Sequence, residues 1–120
     1  MKKSSKLFIT LAGIVFFACE HHNITVKIED SESMYEITAT YPEDMTGEVQ
    51  DYINSSFRPN RIFSGKDDVI DAETPLRDGT IIHIKSSKGE FNLQFDKEEN
   101  SRPAYEQMKR IGAGMGKVLK

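Results

Sequence analysis

The sequence predicts an α+β fold: a single antiparallel β-sheet of about five strands with two helices packed on one face. Three observations predict it. Apolar and polar residues alternate at period two in residues 24–41 and again in 80–96, the pattern of strands with one buried and one wet face. Apolar residues recur at helical spacing in 44–57 and again from Ala104 to Leu119. The intervening stretch, 61–76, carries one short run with strand character. The order is therefore ββαβββα, and the simplest packing puts both helices over the apolar face of the sheet.

Taken from its start, the chain opens with Lys2, Lys3 and Lys6, followed by an uncharged, largely apolar run from Leu7 to Ala18 that is closed by Cys19. A spanning helix needs about 20 apolar residues to cross roughly 30 Å of hydrocarbon, so this run fits the core of an export signal better. Val15-Phe16-Phe17-Ala18-Cys19 resembles the lipobox of bacterial lipoproteins, with Phe16 and Phe17 standing where that family usually carries leucine and a small residue. The resemblance implies removal of residues 1–18 as a signal peptide and acylation of Cys19, with palmitate or a similar chain. It also implies attachment to a membrane of the bacterial cell envelope, facing the periplasm or the cell surface. Residues 19–23 then form a lipidated tether and 24–120 the α+β domain. Two other readings stay open, an ordinary signal cut after Ala18 and an uncleaved anchor, while a buried strand or helix over Leu7 to Ala18 sits badly with the three lysines before it. Cys19 is the only cysteine, so no disulfide can form within the chain.

The three lysines of the signal are unmatched by acids, so residues 19–120 hold 13 basic and 19 acidic side chains, a formal net charge of −6. Such a domain offers no basic stripe to nucleic acid, and none is expected as a partner. At 102 residues it has room for one core. The tether Glu20-His21-His22-Asn23 is short. Five residues from Cys19 to Ile24 reach at most ~18 Å, which keeps the domain beside the bilayer. Adjacent histidines project their rings apart, so His21 and His22 read as polar tether rather than metal ligands.

Within the domain, Ile24, Val26 and Ile28, then Tyr35, Ile37, Ala39 and Tyr41, set the buried face of a first hairpin, which Pro42 closes. A helix follows over 44–57, with Asp44 or Thr46 as its cap and Met45, Val49, Tyr52, Ile53 and Phe57 on its apolar side. Arg58-Pro59-Asn60 ends it. Ile62 and Phe63 are expected under that helix, Ser64-Gly65-Lys66 as a turn, and Val69 to Leu76 as an irregular, acidic edge strand. Asp78-Gly79 marks a tight hairpin turn. Ile82 and Ile84 then point one way and Ile81, His83 and Lys85 the other. Phe91, Leu93 and Phe95 alternate with Asn92, Gln94 and Asp96. Ser101 caps the last helix, Pro103 sits in its first turn, and its stripe is Ala104, Met108, Ile111, Met115 and Val118, flanked by Tyr105 and Leu119. Gly112, Gly114 and Gly116 cost that helix roughly 1 kcal/mol each relative to alanine, and close approach to the sheet or the first helix is the expected return. One alternative fold is weighed. The order from the first hairpin to Arg61–Lys66 looks like a ubiquitin-type β-grasp, which would leave everything after Lys88 as a C-terminal extension.

Chemical motifs fail on inspection. Gly112-Ala113-Gly114-Met115-Gly116-Lys117 lacks both the spacing and the preceding strand of a phosphate loop, and Lys117 replaces the third glycine of a dinucleotide fingerprint. The acidic run around Asp67, Asp68, Asp71 and Glu73 lacks the ligand spacing of a calcium loop. Asp96-Lys97-Glu98-Glu99 reads as a solvated loop. No metal or other cofactor is implied. Two functions remain. The first is a non-catalytic binding module tethered to the envelope, meeting a protein or glycan through its wet sheet face, with Thr38, Thr40, His83, Lys85, Asn92 and Gln94 as candidate contacts. The second is a small membrane-tethered hydrolase or metal-dependent enzyme centred on His83, which would require a pocket there and a partner such as Glu36, Glu90 or Ser86.

Overall fold

The computed structural model describes residues 14–18, 24–65 and 68–120. The signal, acylation and tether expectations at Cys19 and around it fall largely on residues 1–13 and 19–23, outside the described residues. Elements run β1 (Ile14–Ala18), β2 (Thr25–Asp30), β3 (Met34–Thr40), α1 (Thr46–Ser56), β4 (Ile70–Pro75), β5 (Ile81–Ser87), β6 (Glu90–Asp96) and α2 (Arg102–Val118). The strands form one sheet in the order β1-β2-β3-β6-β5-β4, and every ladder is antiparallel. The α+β class and the ββαβββα order of 24–120 therefore stand, with five strands in that span. The backbone of Ile14–Ala18, inside the apolar run before Cys19, adds a further strand along the outer edge of β2 in the uncut chain, a strand that cleavage before Cys19 would remove.

The β-grasp alternative does not hold. Its C-terminal extension would begin after Lys88, yet β6 lies at the centre of the sheet, paired to β3 on one side and β5 on the other. Its inward residues Phe91, Leu93 and Phe95 are fully buried among Ile37, Tyr35 and Ile84. Removing β6 would break the sheet into a three-stranded piece, β1-β2-β3, and the separate β4–β5 hairpin.

Both helices cover the same face. α1 buries Val49 and Ile53, and α2 buries Ala104, Met108, Ile111 and Met115. Leu119 rather than Val118 completes the stripe, because 115 to 119 is the next four-residue step and Val118 falls at the rim. Ser101 caps α2 as expected, accepting from the Ala104 N–H at 3.2 Å. Neither Asp44 nor Thr46 caps α1. A 3₁₀ turn over Glu43–Met45 runs straight into it, and backbone carbonyls already meet its first donors. The buried Thr46 hydroxyl instead accepts from the Gly89 N–H at 2.9 Å, tying α1 to the β5–β6 turn.

Asn54 explains how Ile62 and Phe63 come under α1. Its side-chain oxygen accepts from both of their N–H groups at 2.9 Å, and its amide donates to the Phe63 carbonyl at 3.0 Å. At Asp78-Gly79 the chain turns with Gly79 at φ 94°, a left-handed value that glycine adopts without a Cβ penalty. The Thr80 N–H donates to Asp78 there, which holds that carboxyl below its usual range.

Of the α2 glycines, Gly112 and Gly114 do allow close approach. A Cβ on Gly112 would strike the Tyr35 hydroxyl and stand 3.0 Å from Ile28 Cδ1, so the helix rests directly on β2 and β3. A Cβ on Gly114 would strike the hydroxyl of Tyr52, which donates to the Ile111 carbonyl at 2.7 Å and joins the two helices. Tyr105 pins the other end of α2. Its hydroxyl donates to Asp30 at 2.6 Å, and Lys97 forms an ion pair with the same carboxylate at 2.6 Å, off the axis of a hydrogen bond. The Lys97 ammonium also lies 4.4 Å from the Tyr105 ring centre.

Two stability experiments follow from this packing. Gly112→Leu should cost about 1–3 kcal/mol or more, because the side chain must displace Tyr35 and Ile28 from a filled core. Gly47→Ala, where a Cβ meets nothing within 4 Å, should instead stabilise by roughly 0.5 kcal/mol. Urea unfolding of the two variants checks the contrast, and equal midpoints would refute the close-approach account. The second experiment concerns alkaline pH. Burial pushes Tyr35 and Tyr41 up to about 12, and burial together with the hydrogen bond to Asp30 does the same for Tyr105. In the unfolded chain these phenols ionise near pH ~10. Their contribution is thus fully present below about pH 10 and lost as pH rises toward 12. Unfolding midpoints measured from pH 8 to 12 should stay level and then fall across that window.

Candidate functional site

The face of the sheet opposite the helices is polar because every second residue of each strand must point there. The register fixes who meets whom. Lys27, Thr38, Asn92, Lys85 and Asp71 form one cross-strand row, and Glu29, Glu36, Gln94, His83 and Glu73 form the next. Thr25, Thr40, Glu90 and Ser87 make a third row, at the end of the sheet where Ile24 enters. The expected contacts Thr38, Thr40, His83, Lys85, Asn92 and Gln94 are thus brought onto one surface.

That surface is hollowed into an open trough of about 650 Å³. Glu36, Thr38, Thr40, Lys85, Asn92 and Gln94 line its floor, with Glu90 at one end. Val69, Ile70 and Asp71 form the β4 wall, where Val69 stands 75% exposed. Three carboxylates and one ammonium therefore line it, a net negative surface.

Glu36, absent from the expected contacts, organises the floor. Its Oε2 accepts from the Asn92 amide at 2.8 Å and from the Gln94 amide at 3.2 Å. Asn92 also donates to the Thr38 hydroxyl at 2.9 Å. A carboxylate can only accept, so it fixes which way both amides face. Glu36 could have been found from sequence, since it shares the parity of Thr38 and Thr40 on β3. Asp71 could not, because its place beside Lys85 depends on the β4–β5 register.

His83 stands apart. Its Nε2 lies 2.8 Å from Asp71 Oδ1, so the partner is neither Glu36, Glu90 nor Ser86. Ser86 points the other way, buried under the helices and donating to the Glu90 carbonyl. The His83 side chain is 37% exposed and is not among the residues lining the trough. An imidazole oriented by a carboxylate has two parts of a nucleophilic triad, but no hydroxyl or thiol is placed to serve as the third part among the described residues. There, too, no group of three or more His, Cys, Asp or Glu side chains is placed to hold a metal ion. No described helix is long and apolar enough to cross a membrane.

A second hollow, of about 460 Å³, lies beyond the end of α1 between Asp51, Asn54, Arg58 and Arg61. It opens at the negative end of the helix dipole, which counts against an anion there. Comparison with known proteins gives no match to a family model, a curated protein or a solved structure.

Proposed function

We propose that this chain is an envelope lipoprotein, held at a membrane through acylated Cys19, whose domain is a non-catalytic binding module that receives its partner in the trough of the polar sheet face. The observation that carries this reading is the trough itself. It is concave, open to solvent, and floored by side chains that already hold one another in place before any ligand arrives. Surface amides and carboxylates with no such role are usually mobile and independently solvated.

Position supports the same reading. Thr40, Glu90, Ser87 and Val69 put the trough toward the end of the sheet where the chain enters at Ile24, a few residues after Cys19. A lipid on Cys19 would hold this end against the bilayer. Its acidic lining would repel anionic headgroups and leave the trough free for a partner at the membrane surface.

Two measurements check the proposal. Cys19→Ser should abolish palmitate labelling and shift the chain from the membrane fraction to the soluble envelope fraction. Persistence of the variant in membranes would refute the anchor. A photo-reactive residue in place of Thr38, in the native host, should yield one discrete adduct, whereas the same residue at Lys109 on the outer side of α2 should yield none. No adduct at Thr38, or equal adducts at both positions, would refute binding through the trough.

A further inference from the structure

The hydrogen-bond inventory of the trough narrows the partner's chemistry, an inference that rests on the binding role just proposed. Both N–H groups of the Asn92 amide are committed, one to Glu36 and one to Thr38. One N–H of Gln94 is committed to Glu36. Apart from the second N–H of Gln94, what these groups still offer is acceptor capacity: the side-chain oxygens of Asn92 and Gln94 and the second oxygen of Glu36. Glu36 has no ion pair among the described residues, although it lies on the floor, at the end away from Glu90. Glu90 and Asp71 add two more carboxylates at the margins. Against this stand the Lys85 ammonium and the hydroxyls of Thr38 and Thr40.

A ligand that fills such a surface must therefore bring donors and positive charge. A planar guanidinium carries five N–H groups and no acceptor, and it meets a carboxylate and flanking carbonyls edge on. An ammonium supplies the charge but only three donors. Among the described residues the lining also exposes no aromatic ring. Phe91 contributes to it but is buried, turned into the core beneath. A sugar would find no apolar plate to stack on, and this favours a protein over a glycan. We propose that the trough receives a basic segment of a partner protein, with an arginine side chain seated on Glu36 between Asn92 and Gln94.

The test uses the full chain, ¹⁵N-labelled in detergent micelles, titrated with blocked tri-arginine, blocked tri-glutamate and a neutral chitotriose. Tri-arginine should shift the side-chain amide signals of Asn92 and Gln94, and the other two probes should leave them in place. Glu36→Gln should weaken tri-arginine binding about threefold, and Lys85→Ala should strengthen it about twofold, the scale of exposed ion pairs. A change of opposite sign in two folded variants, at half-buried Glu36 and exposed Lys85, separates charge recognition from loss of structure, and unchanged melting of both confirms the comparison. The inference is overturned by silence toward tri-arginine, by an equal response to tri-glutamate, by a chitotriose response, or by Glu36→Gln binding as the parent does. Failure here is distinct from failure of the binding role. If the Thr38 photo-adduct forms but its captured peptide is acidic or neutral, only the chemistry proposed here falls.

Discussion

One requirement governs the molecule: the apolar face that β6 shares with β3 and β5 has to be covered. Phe91, Leu93 and Phe95 alternate with Asn92, Gln94 and Asp96, so the strand cannot bury its phenylalanines without presenting its amides to the other side. Fully burying side chains of this size stabilises by about 1.5–3 kcal/mol each, which exceeds anything a surface pair can contribute. Among the described residues the two helices supply most of that cover, with Phe57, Phe63 and Leu119 beside them. Once both lie on one face, the opposite face is left polar and open, and the trough is its shape.

The cover fits because three contacts set its height and tilt. Gly112 lets α2 down onto Tyr35 and Ile28, Tyr52 joins α1 to α2 through the Ile111 carbonyl, and Tyr105 anchors α2 to Asp30 at the β2–β3 turn. Each is a tyrosine working at a place where an apolar body is needed for packing and a polar tip for a hydrogen bond or a glycine gap. Helix propensity alone would have selected alanine at 112 and 114. Tertiary approach overrides it.

On the open face, charge and hydrogen bonding divide the work differently. Glu36 orients Asn92 and Gln94, while Asp71 draws His83 toward β4 and away from the floor. The residue that looked most chemical in the sequence is thereby paired at the edge, and a carboxylate that looked ordinary orients the amides of the floor. A histidine invites attention for its pKa range, but position on the sheet, not residue type, decides which groups share a site.

Local pattern by itself determined the class, the order of elements within 24–120, the inward and outward sets of β2, β3, β5 and β6 and the Ser101 cap, because these depend on neighbours within a few residues. It also placed Thr38, Thr40, Lys85, Asn92 and Gln94 on one wet face, since parity along a strand is local. Only the tertiary structure decided that β6 is central rather than an appendage, that Thr46 bonds Gly89 instead of capping its own helix, and that Asp71 meets His83. Each of those joins segments separated by a turn or more, where register and helix placement are set by packing of the whole core and leave no mark in local spacing.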